Sequence, residues 1–252
     1  MAAVSATTLL YQTDSYVSEF TADVVSVDPD TRSVILDSTA FYPGGGGQPC
    51  DTGSLTYDST AWLVAGVRKD GDNVLHIVED GAALPELGSR VTGRVDWERR
   101  YQLMRTHTAL HVLCGVVFRD YGAPVTGGNM TPDHARMDFE MDSADFTPER
   151  VAEIVSRANA EIASERDIRV QILPRDEAFA IPDLIRTKIN LLPSGISEIR
   201  TVEIVGLDLQ ADGGTHVANT REVGGLEVTG TRSKGRSNKR LEIALTKPPT
   251  SA

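Results

Sequence analysis

Two hydrophobic periodicities divide this chain of 252 residues. Up to residue 95, apolar and polar positions alternate in short segments with a period of two, which is typical of half-buried β-strands. Turn sequences such as Asp70-Gly71-Asp72 separate some of these segments. The predicted strands are Val17–Val27, Ser33–Ser38, Ser54–Tyr57, Ala61–Lys69, Asn73–Val78 and Arg90–Val95. Several short strands at close spacing predict a small β-barrel domain, which we assign to residues 1–95.

After Val95 the period changes to about three and a half residues, and we assign a second domain to residues 96–252. Asp96 is placed to cap a helix from Trp97 to about Tyr121, and Thr147-Pro148 begins a second helix. Alternating segments predict the strands Ala135–Met141, Ile168–Leu173, Ile199–Val205, Leu226–Thr231 and Leu241–Leu245. The predicted fold class is α+β, a β-barrel followed by an α/β domain with an antiparallel sheet. Residues 247–252 are expected to form a loose tail.

The first predicted helix carries two histidines on one face. His107 and His111 are four positions apart, and side chains at this spacing lie one above the other on a helix. Their neighbours on the same stripe include Met104 and Cys114, so the imidazoles could simply be part of an apolar core. Alternatively, both could bind one metal ion. On this pair alone, ordinary packing is the better interpretation.

A glycine-rich segment near the end of the chain, Gln210–His216, changes that balance. It contains Asp212 and His216, and three of the five histidines of the chain fall in these two segments. Glycines let a loop bring its backbone close to an ion. Three imidazoles and a carboxylate form an acceptable tetrahedral ligand set for zinc. We therefore predict a metal-binding helix and one Zn²⁺ per chain, held by His107, His111, Asp212 and His216.

Composition restricts the class of protein. Hydrophobic residues make up 40% and charged residues 24%, as in soluble globular proteins. No apolar run is long enough for a membrane span, and Met1–Tyr11 lacks the basic residues of a signal or transit peptide, so a cytoplasmic protein is expected. The net charge of −11 argues against broad non-specific binding to nucleic acids. Cys50 and Cys114 do not make a disulfide framework, and we expect Cys114 to pack in the core.

Two further segments are candidates for binding. Gly44–Gly47 has neither the Gly-Lys-Ser/Thr ending nor the following helix of an ATP-binding loop, so an ATP site is not expected. A flexible hairpin tip and a loop that approaches a ligand are equally good interpretations of these glycines. Thr231–Arg240 contains five basic residues and no acidic one. It is either a solvated hairpin or a clamp for a phosphate backbone, and we favour the clamp.

Four groups of motifs occur in an order that matches a known family. They are Phe41-Tyr42-Pro43 with Gly46-Gly47-Gln48-Pro49 and Asp51-Thr52-Gly53, then Val95–Arg100 with Met104–His111, then Gly213–Thr220, and finally Ser233–Arg236 with Asn238–Arg240. With these motifs the sequence resembles the AlaX family of freestanding alanyl-tRNA editing proteins and, more distantly, the editing domain of alanyl-tRNA synthetase. The family usually has Cys where this chain has Asp212. A carboxylate is a harder and weaker zinc ligand, so the metal is expected to be weaker, exchangeable or different, or to be held by the three histidines.

The resemblance implies a reaction and further site residues. The reaction is metal-dependent, ATP-independent hydrolysis, in trans, of the ester that joins a wrong amino acid, chiefly serine and secondarily glycine, to the 3′ end of tRNA(Ala). Thr126 and Gln48 are the implied catalytic-site residues, with Thr126 sensing the amino-acid side chain. The implied substrate-binding residues are Gly46, Gly47, Thr108 and Gly127. The implied tRNA-binding residues are Arg232, Lys234, Arg236, Lys239 and Arg240.

Two alternatives to this function remain open at this stage. One is a noncatalytic tRNA-binding module with a structural metal, and the other is a deacylase for a different mischarged tRNA. A metalloprotease is rejected because Thr108 stands where the His-Glu-x-x-His motif has its glutamate base. The expected partner is the acceptor end of mischarged tRNA(Ala), with no membrane. The sequence does not fix the oligomeric state, and a monomer is our default expectation.

Overall fold

The structure is a computed structural model that describes residues 6–189, 192 and 195–246. The chain divides into two compact units, Met1–Tyr101 and Gln102–Ala252. The assignment of functional domains to 1–95 and 96–252 stays a prediction. The expected tail at 247–252 lies outside the described residues. Within the described part of the chain, no helix combines the length and the apolar character needed to cross a membrane.

The first unit contains the predicted β-barrel. Its strands are β1 (Thr8–Leu9), β2 (Glu19–Asp28), β3 (Ser33–Leu36), β4 (Ser38–Thr39), β5 (Gly53–Tyr57), β6 (Thr60–Asp70), β7 (Asn73–Val78) and β8 (Arg90–Val95), and a short 3-10 helix covers Leu10–Gln12. Six of these described strands close in the order β2-β3-β7-β6-β5-β8, with antiparallel neighbours. β1 pairs in parallel with β4. Alternate residues such as Val34 and Leu36 point inward and are fully buried, which is the pattern that predicted the barrel.

The second unit combines helices with antiparallel strands. After the helix α1 (Trp97–Tyr121), whose first residues belong to the first unit, the elements are β9 (Val125–Met130), β10 (His134–Glu140), α2 (Pro148–Ala163), β11 (Ile168–Pro174), α3 (Arg175–Phe179), β12 (Glu198–Ile204), β13 (Asp208–Ala211), a 3-10 helix (Thr220–Val223), β14 (Gly225–Ser233) and β15 (Asn238–Thr246). The fold class is therefore α+β, as predicted. The strands form two sheets, β14-β15-β10-β9 and β11-β12-β13, where the sequence had indicated a single sheet.

Helix α1 has the bounds that the sequence predicted. Asp96 Oδ1 accepts the N–H of Arg99 at 3.2 Å, and Gly122, with φ of 63°, follows the last turn. Every residue from 103 to 117 is buried, so this part of the helix is enclosed on all sides. Burial of His107 and His111 therefore does not distinguish packed histidines from metal ligands. The atoms around the imidazole nitrogens distinguish core histidines from metal ligands.

Candidate functional site

Three imidazoles and one carboxylate meet in the second unit. His107 and His111 come from α1, and Asp212 and His216 come from the loop after β13. Their potential ligand atoms all lie within 4.8 Å of one another, and the three histidines are buried. The structure thus brings together the four residues that the two sequence segments predicted, in a group that could hold a metal ion.

The three Nε2 atoms converge on the same carboxylate. Asp212 Oδ2 lies 3.1 Å from His216 Nε2, and Asp212 Oδ1 lies 3.7 Å from His107 Nε2 and 4.0 Å from His111 Nε2. Donor atoms around a tetrahedral zinc with bonds of about 2.1 Å are about 3.4 Å apart. The donor spacing in this cluster and its mixture of nitrogen and oxygen therefore fit a divalent ion of the zinc type.

Burial sets the protonation of the cluster. It lowers the pKa of His107 to about 4, and the nearby Arg200 guanidinium lowers it further, against the opposing effect of the Asp212 carboxylate. Burial also holds the pKa of His216 well below its usual range. Burial alone would raise the pKa of Asp212, but the neighbouring histidines, His107 first, keep it well below 3.8. His107 and His216 are thus neutral imidazoles and Asp212 is a carboxylate, the forms in which these side chains bind metals.

Thr108 lies beside the histidine cluster. It is fully buried, its hydroxyl lies 3.1 Å from His216 Nδ1, and the same oxygen accepts the N–H of Val217 at 3.3 Å. A partner at Nδ1 holds the ring so that Nε2 faces Asp212, as outer-shell hydrogen bonds do in metal sites. Contact of Thr108 with substrate stays a prediction, and the observed hydrogen bonds of its hydroxyl are with His216 and Val217.

Two charged residues beside the cluster were not predicted. Asp208, fully buried, has Oδ2 at 3.8 Å from His111 Nδ1, a nitrogen with no hydrogen-bond partner among the described residues. Arg200 lies on β12 with Nη1 directed at the loop that carries Asp212. Asp208 could have been suspected because it precedes Asp212 by four residues. Arg200 gave no signal, since a polar residue in an alternating strand is normally expected to face water.

The glycine loop of the first unit has a defined backbone shape. Gly44, Gly45, Gly46 and Gly47 all have positive φ, between 57° and 136°. Gly45 and Gln48 exchange backbone hydrogen bonds, and Tyr42 Oη donates to the carbonyl of Gly45 at 3.0 Å. At the base of the loop, the N–H of Tyr42 donates to Asp51 Oδ2, and the N–H of Asp51 donates to the carbonyl of Tyr42. The buried Arg100 donates to the carboxylate of Asp51. Gln48 is buried, whereas Gly45 and Gly46 are exposed. The loop is thus an ordered element, and its contact with substrate stays a prediction.

Thr126 and Gly127 lie on an edge strand of the four-stranded sheet. Both are in β9, where Gly127 pairs with Asp138 of β10. Thr126 is exposed, and its Oγ1 lies 3.4 Å from Asn238 Oδ1 on β15. The hydroxyl is therefore accessible and has a polar neighbour, which is compatible with a role in sensing a substrate group.

The basic segment forms the predicted hairpin between β14 and β15. Arg232, Lys234 and Arg236 are exposed. Arg240 is different, because its guanidinium donates to both oxygens of Asp138 at 2.7 and 2.9 Å. Lys234 Nζ also lies 3.4 Å from Asp138. A carboxylate thus lies among the predicted phosphate-binding cations, and it lowers the net positive charge available there.

Lys239 departs from the predicted role. It is 1% exposed, and its ammonium group donates to hydroxyl and carbonyl oxygens of the hairpin and of a neighbouring turn. The acceptors, at 2.7–3.1 Å, are Ser143 Oγ, Ser233 Oγ, Gly235 O and Arg236 O. A charge enclosed in this way is not placed to bind a phosphate. The contacts of Lys239 organise the hairpin tip, and its predicted contact with tRNA stays a prediction that this burial does not favour.

Comparison with known proteins identifies similar sequences on both units. A family model described as tRNA synthetases class II (A) matches residues 4–99, and one described as Threonyl and Alanyl tRNA synthetase second additional domain matches residues 199–242. The Alanyl-tRNA editing protein AlaX-M of Saccharolobus solfataricus is 38% identical over 234 residues, which cover 92% of this chain and 96% of that protein. The protein of the same name from Methanosarcina acetivorans is 38% identical over 245 residues, which cover 95% and 99%. The Alanine–tRNA ligase of Ignicoccus hospitalis is 41% identical over 228 residues, or 88% of this chain and 24% of the ligase.

Proposed function

Because this chain belongs to the AlaX-M family of alanyl-tRNA editing proteins, we propose that it hydrolyses seryl-tRNA(Ala) and, as a second substrate, glycyl-tRNA(Ala). The observation that carries the proposal is the convergence of three buried imidazoles on the carboxylate of Asp212. Family membership makes the protein a deacylase that edits alanyl-tRNA. The choice of serine and glycine, the metal and the action on tRNA released by the synthetase are the parts that we add.

The chemistry of alanine selection explains why such an activity is needed. A binding pocket for alanine cannot reject the smaller glycine by size, and serine is larger by a single oxygen. Differences of this kind are worth only about 1–3 kcal/mol in a binding site. Hydrolysis of the wrong ester by a separate site is therefore the expected solution.

We assign one zinc ion per chain to His107, His111, His216 and Asp212. When bound, the ion would supply Lewis-acid chemistry, orienting and polarising the ester or the aminoacyl group. The protein's contribution is to keep His107 and His216 neutral by burial and to hold the ring of His216 through Thr108.

We assign recognition of the amino acid to Thr126, with Gly127 beside it. The exposed hydroxyl of Thr126 would hydrogen-bond the hydroxyl of a seryl group, whereas an alanyl methyl group offers no such partner. Gln48, Gly46 and Gly47 are proposed to contact the aminoacyl end. Contacts of this kind discriminate best when a polar group loses its partner with the wrong ligand.

We assign binding of the tRNA phosphate backbone to the exposed cations of the hairpin, Arg232, Lys234 and Arg236. Arg240 is held beside them by Asp138. Contacts between basic side chains and phosphates provide affinity and register without reading sequence. The partner is tRNA(Ala), of which the misacylated acceptor end is the proposed binding element. We also propose that the protein is a monomer and that it acts in the cytoplasm.

The test is a deacylation panel with matched metal analysis. Purified protein is assayed on seryl-, glycyl- and alanyl-tRNA(Ala) and on other tRNAs mischarged with threonine or cysteine, before and after chelation, with elemental analysis of each sample. We expect hydrolysis of seryl-tRNA(Ala) first and glycyl-tRNA(Ala) second, with one zinc per chain and loss of activity on chelation. Cleavage of threonyl or cysteinyl esters with sparing of seryl-tRNA(Ala) would overturn the substrate assignment. Full activity in metal-free protein would overturn the proposal that the reaction requires a bound metal ion.

A further inference from the structure

A buried arginine holds the backbone of the loop that carries two of the proposed metal ligands. The side chain of Arg200, on β12, is 4% exposed. Its Nη1 donates to the carbonyl oxygens of Asp212 at 3.0 Å and of Gly214 at 2.8 Å. The carbonyl of Arg200 also accepts the N–H of Asp212 at 3.1 Å. One residue therefore binds both ends of the short turn from Asp212 to Gly214.

That turn decides where the ligand atoms of the loop point. Asp212 Oδ2 accepts the N–H of Gly214 at 2.8 Å and lies 3.1 Å from His216 Nε2. Gly213, at the tip, is exposed, and a side chain built there would meet no atom within 4 Å. The tip thus has little packing of its own. Hydrogen bonds from Arg200 are a principal constraint on its conformation.

The charge of Arg200 works against any simple electrostatic role. Its guanidinium lies 3.8 Å from Asp212 Oδ2, and a cation so close to the cluster repels a divalent ion. If charge were its main contribution, removal of Arg200 would tighten metal binding. If geometry were its main contribution, removal would loosen the loop and weaken metal binding. The two roles therefore predict changes of opposite sign.

We propose that Arg200 is a positioning residue that preorganises Asp212 and His216 for metal binding before any metal is present. This inference rests on the proposed function, in which those two residues are metal ligands. The two N–H groups of one nitrogen in a planar guanidinium hold two carbonyls at fixed separation, a geometry suited to Arg. Outer-shell residues of this kind typically contribute 10- to 100-fold to metal affinity.

The test compares Arg200→Met with a matched control, Arg166→Met. Arg166 Nη1 also donates to a carbonyl, that of Val205 at 2.9 Å, but away from the ligand loop. Hydrogen exchange is measured on metal-free protein for the peptides 208–218 and 148–163, and Co²⁺ affinity is measured from its visible absorption. For Arg200→Met we expect at least tenfold faster exchange in 208–218, unchanged exchange in 148–163, and at least tenfold weaker Co²⁺ binding. Arg166→Met should leave the 208–218 exchange and the Co²⁺ affinity unchanged.

Wild-type exchange in 208–218, or Co²⁺ binding as tight as in wild type or tighter, would overturn the positioning role. If wild-type protein itself binds neither Co²⁺ nor Zn²⁺, the proposed metal fails, while exchange of the loop still tests Arg200. If Arg200→Met accelerates exchange in 148–163 as well, the variant is globally unstable, and Arg200→Lys takes its place. At least threefold faster loop exchange in Arg200→Lys then supports the role, and wild-type exchange contradicts it.

Discussion

The barrel and the second unit each bury histidine, with opposite consequences. In the barrel, His76 Nδ1 donates to the carbonyl of Val34 at 3.1 Å, and Nε2 accepts the hydroxyl of Thr39 at 2.8 Å. The hydroxyl of Thr39 in turn accepts the N–H of Phe41. In the second unit, by contrast, the Nε2 atoms of three histidines face one carboxylate.

Burial alone therefore does not identify a functional histidine, but the direction of its nitrogens does. His76 is fully buried and both of its ring nitrogens are hydrogen-bonded, to Val34 and to Thr39. It is therefore a core residue whose polar atoms are satisfied. His107 is also buried, yet its Nε2 faces the carboxylate of Asp212, as do the Nε2 atoms of His111 and His216. A set of donors that share a target is the arrangement that a ligand requires.

The largest effect is expected from His107→Ala. Loss of one ligand should lower seryl-tRNA(Ala) deacylation about a thousandfold or more, or ~4 kcal/mol of transition-state stabilisation, and should reduce the bound metal. Single-turnover deacylation and elemental analysis measure the two effects. His134→Ala is the matched control, since His134 is an exposed histidine of the same unit outside the cluster.

His134→Ala should keep the activity and the metal. Circular dichroism of His107→Ala should keep the wild-type spectrum. Global unfolding of His107→Ala would instead favour a structural metal in a noncatalytic tRNA-binding protein.

The next effect concerns the acid stability of the barrel. Burial lowers the pKa of His76 to about 4, while in the unfolded chain it is 6.5. The unfolded state therefore binds a proton between these values that the folded state does not, and stability falls as the pH is lowered from 6.5 to 4. The total loss from this residue is about 3 kcal/mol.

His76→Gln tests this through urea unfolding at several pH values. Both tryptophans of the chain, Trp62 and Trp97, belong to the first unit, so their fluorescence reports its unfolding. The variant should be less stable at pH 7 but should lose less stability on acidification than wild type. Parallel curves of unfolding free energy against pH for the two proteins would contradict the prediction.

A smaller effect is expected from Thr108→Val, which keeps the shape but removes the hydroxyl next to His216 Nδ1. Metal affinity should fall about tenfold, since outer-shell partners contribute 10- to 100-fold. Competition with a chelator measures the affinity. Thr108→Ser, which restores the hydroxyl, should recover most of it, and wild-type affinity in Thr108→Val would show that Thr108 does not orient His216.

The smallest effect is expected on tRNA binding, from replacing an exposed lysine of the hairpin. Lys239 has its ammonium enclosed by the hairpin, whereas Lys234 is exposed. Lys234→Ala should raise KM for tRNA a few-fold with kcat unchanged, and should reduce the salt slope of binding by about one. Arg221 is an exposed cation elsewhere in the second unit, and Arg221→Ala should change neither the KM for tRNA nor the salt slope. Equal effects of both variants would point to general charge attraction.

How far the sequence could predict this molecule depended on whether its signals were local. The bounds of α1 were predictable because Asp96 and Gly122 are capping signals at its two ends. The cluster of His107, His111, Asp212 and His216 was predictable from histidine spacing and a glycine-rich loop. β9 was missed because Thr126-Gly127-Gly128 has turn-like composition, and its strand pairing with β10 is a contact between segments. The role of Arg200 was missed for the same reason, because its acceptors lie in a different segment.

The run of left-handed glycines has a practical consequence for engineering. Most side chains would strain the backbone at these positions, and a Cβ at Gly44 would lie only 3.2 Å from the backbone nitrogen of Cys50. Gly46 is more permissive, since its φ of 57° falls where asparagine is tolerated and no atom lies within 4 Å of the position that a Cβ would take. Gly46→Asn is therefore the least disruptive entry point for altering this loop.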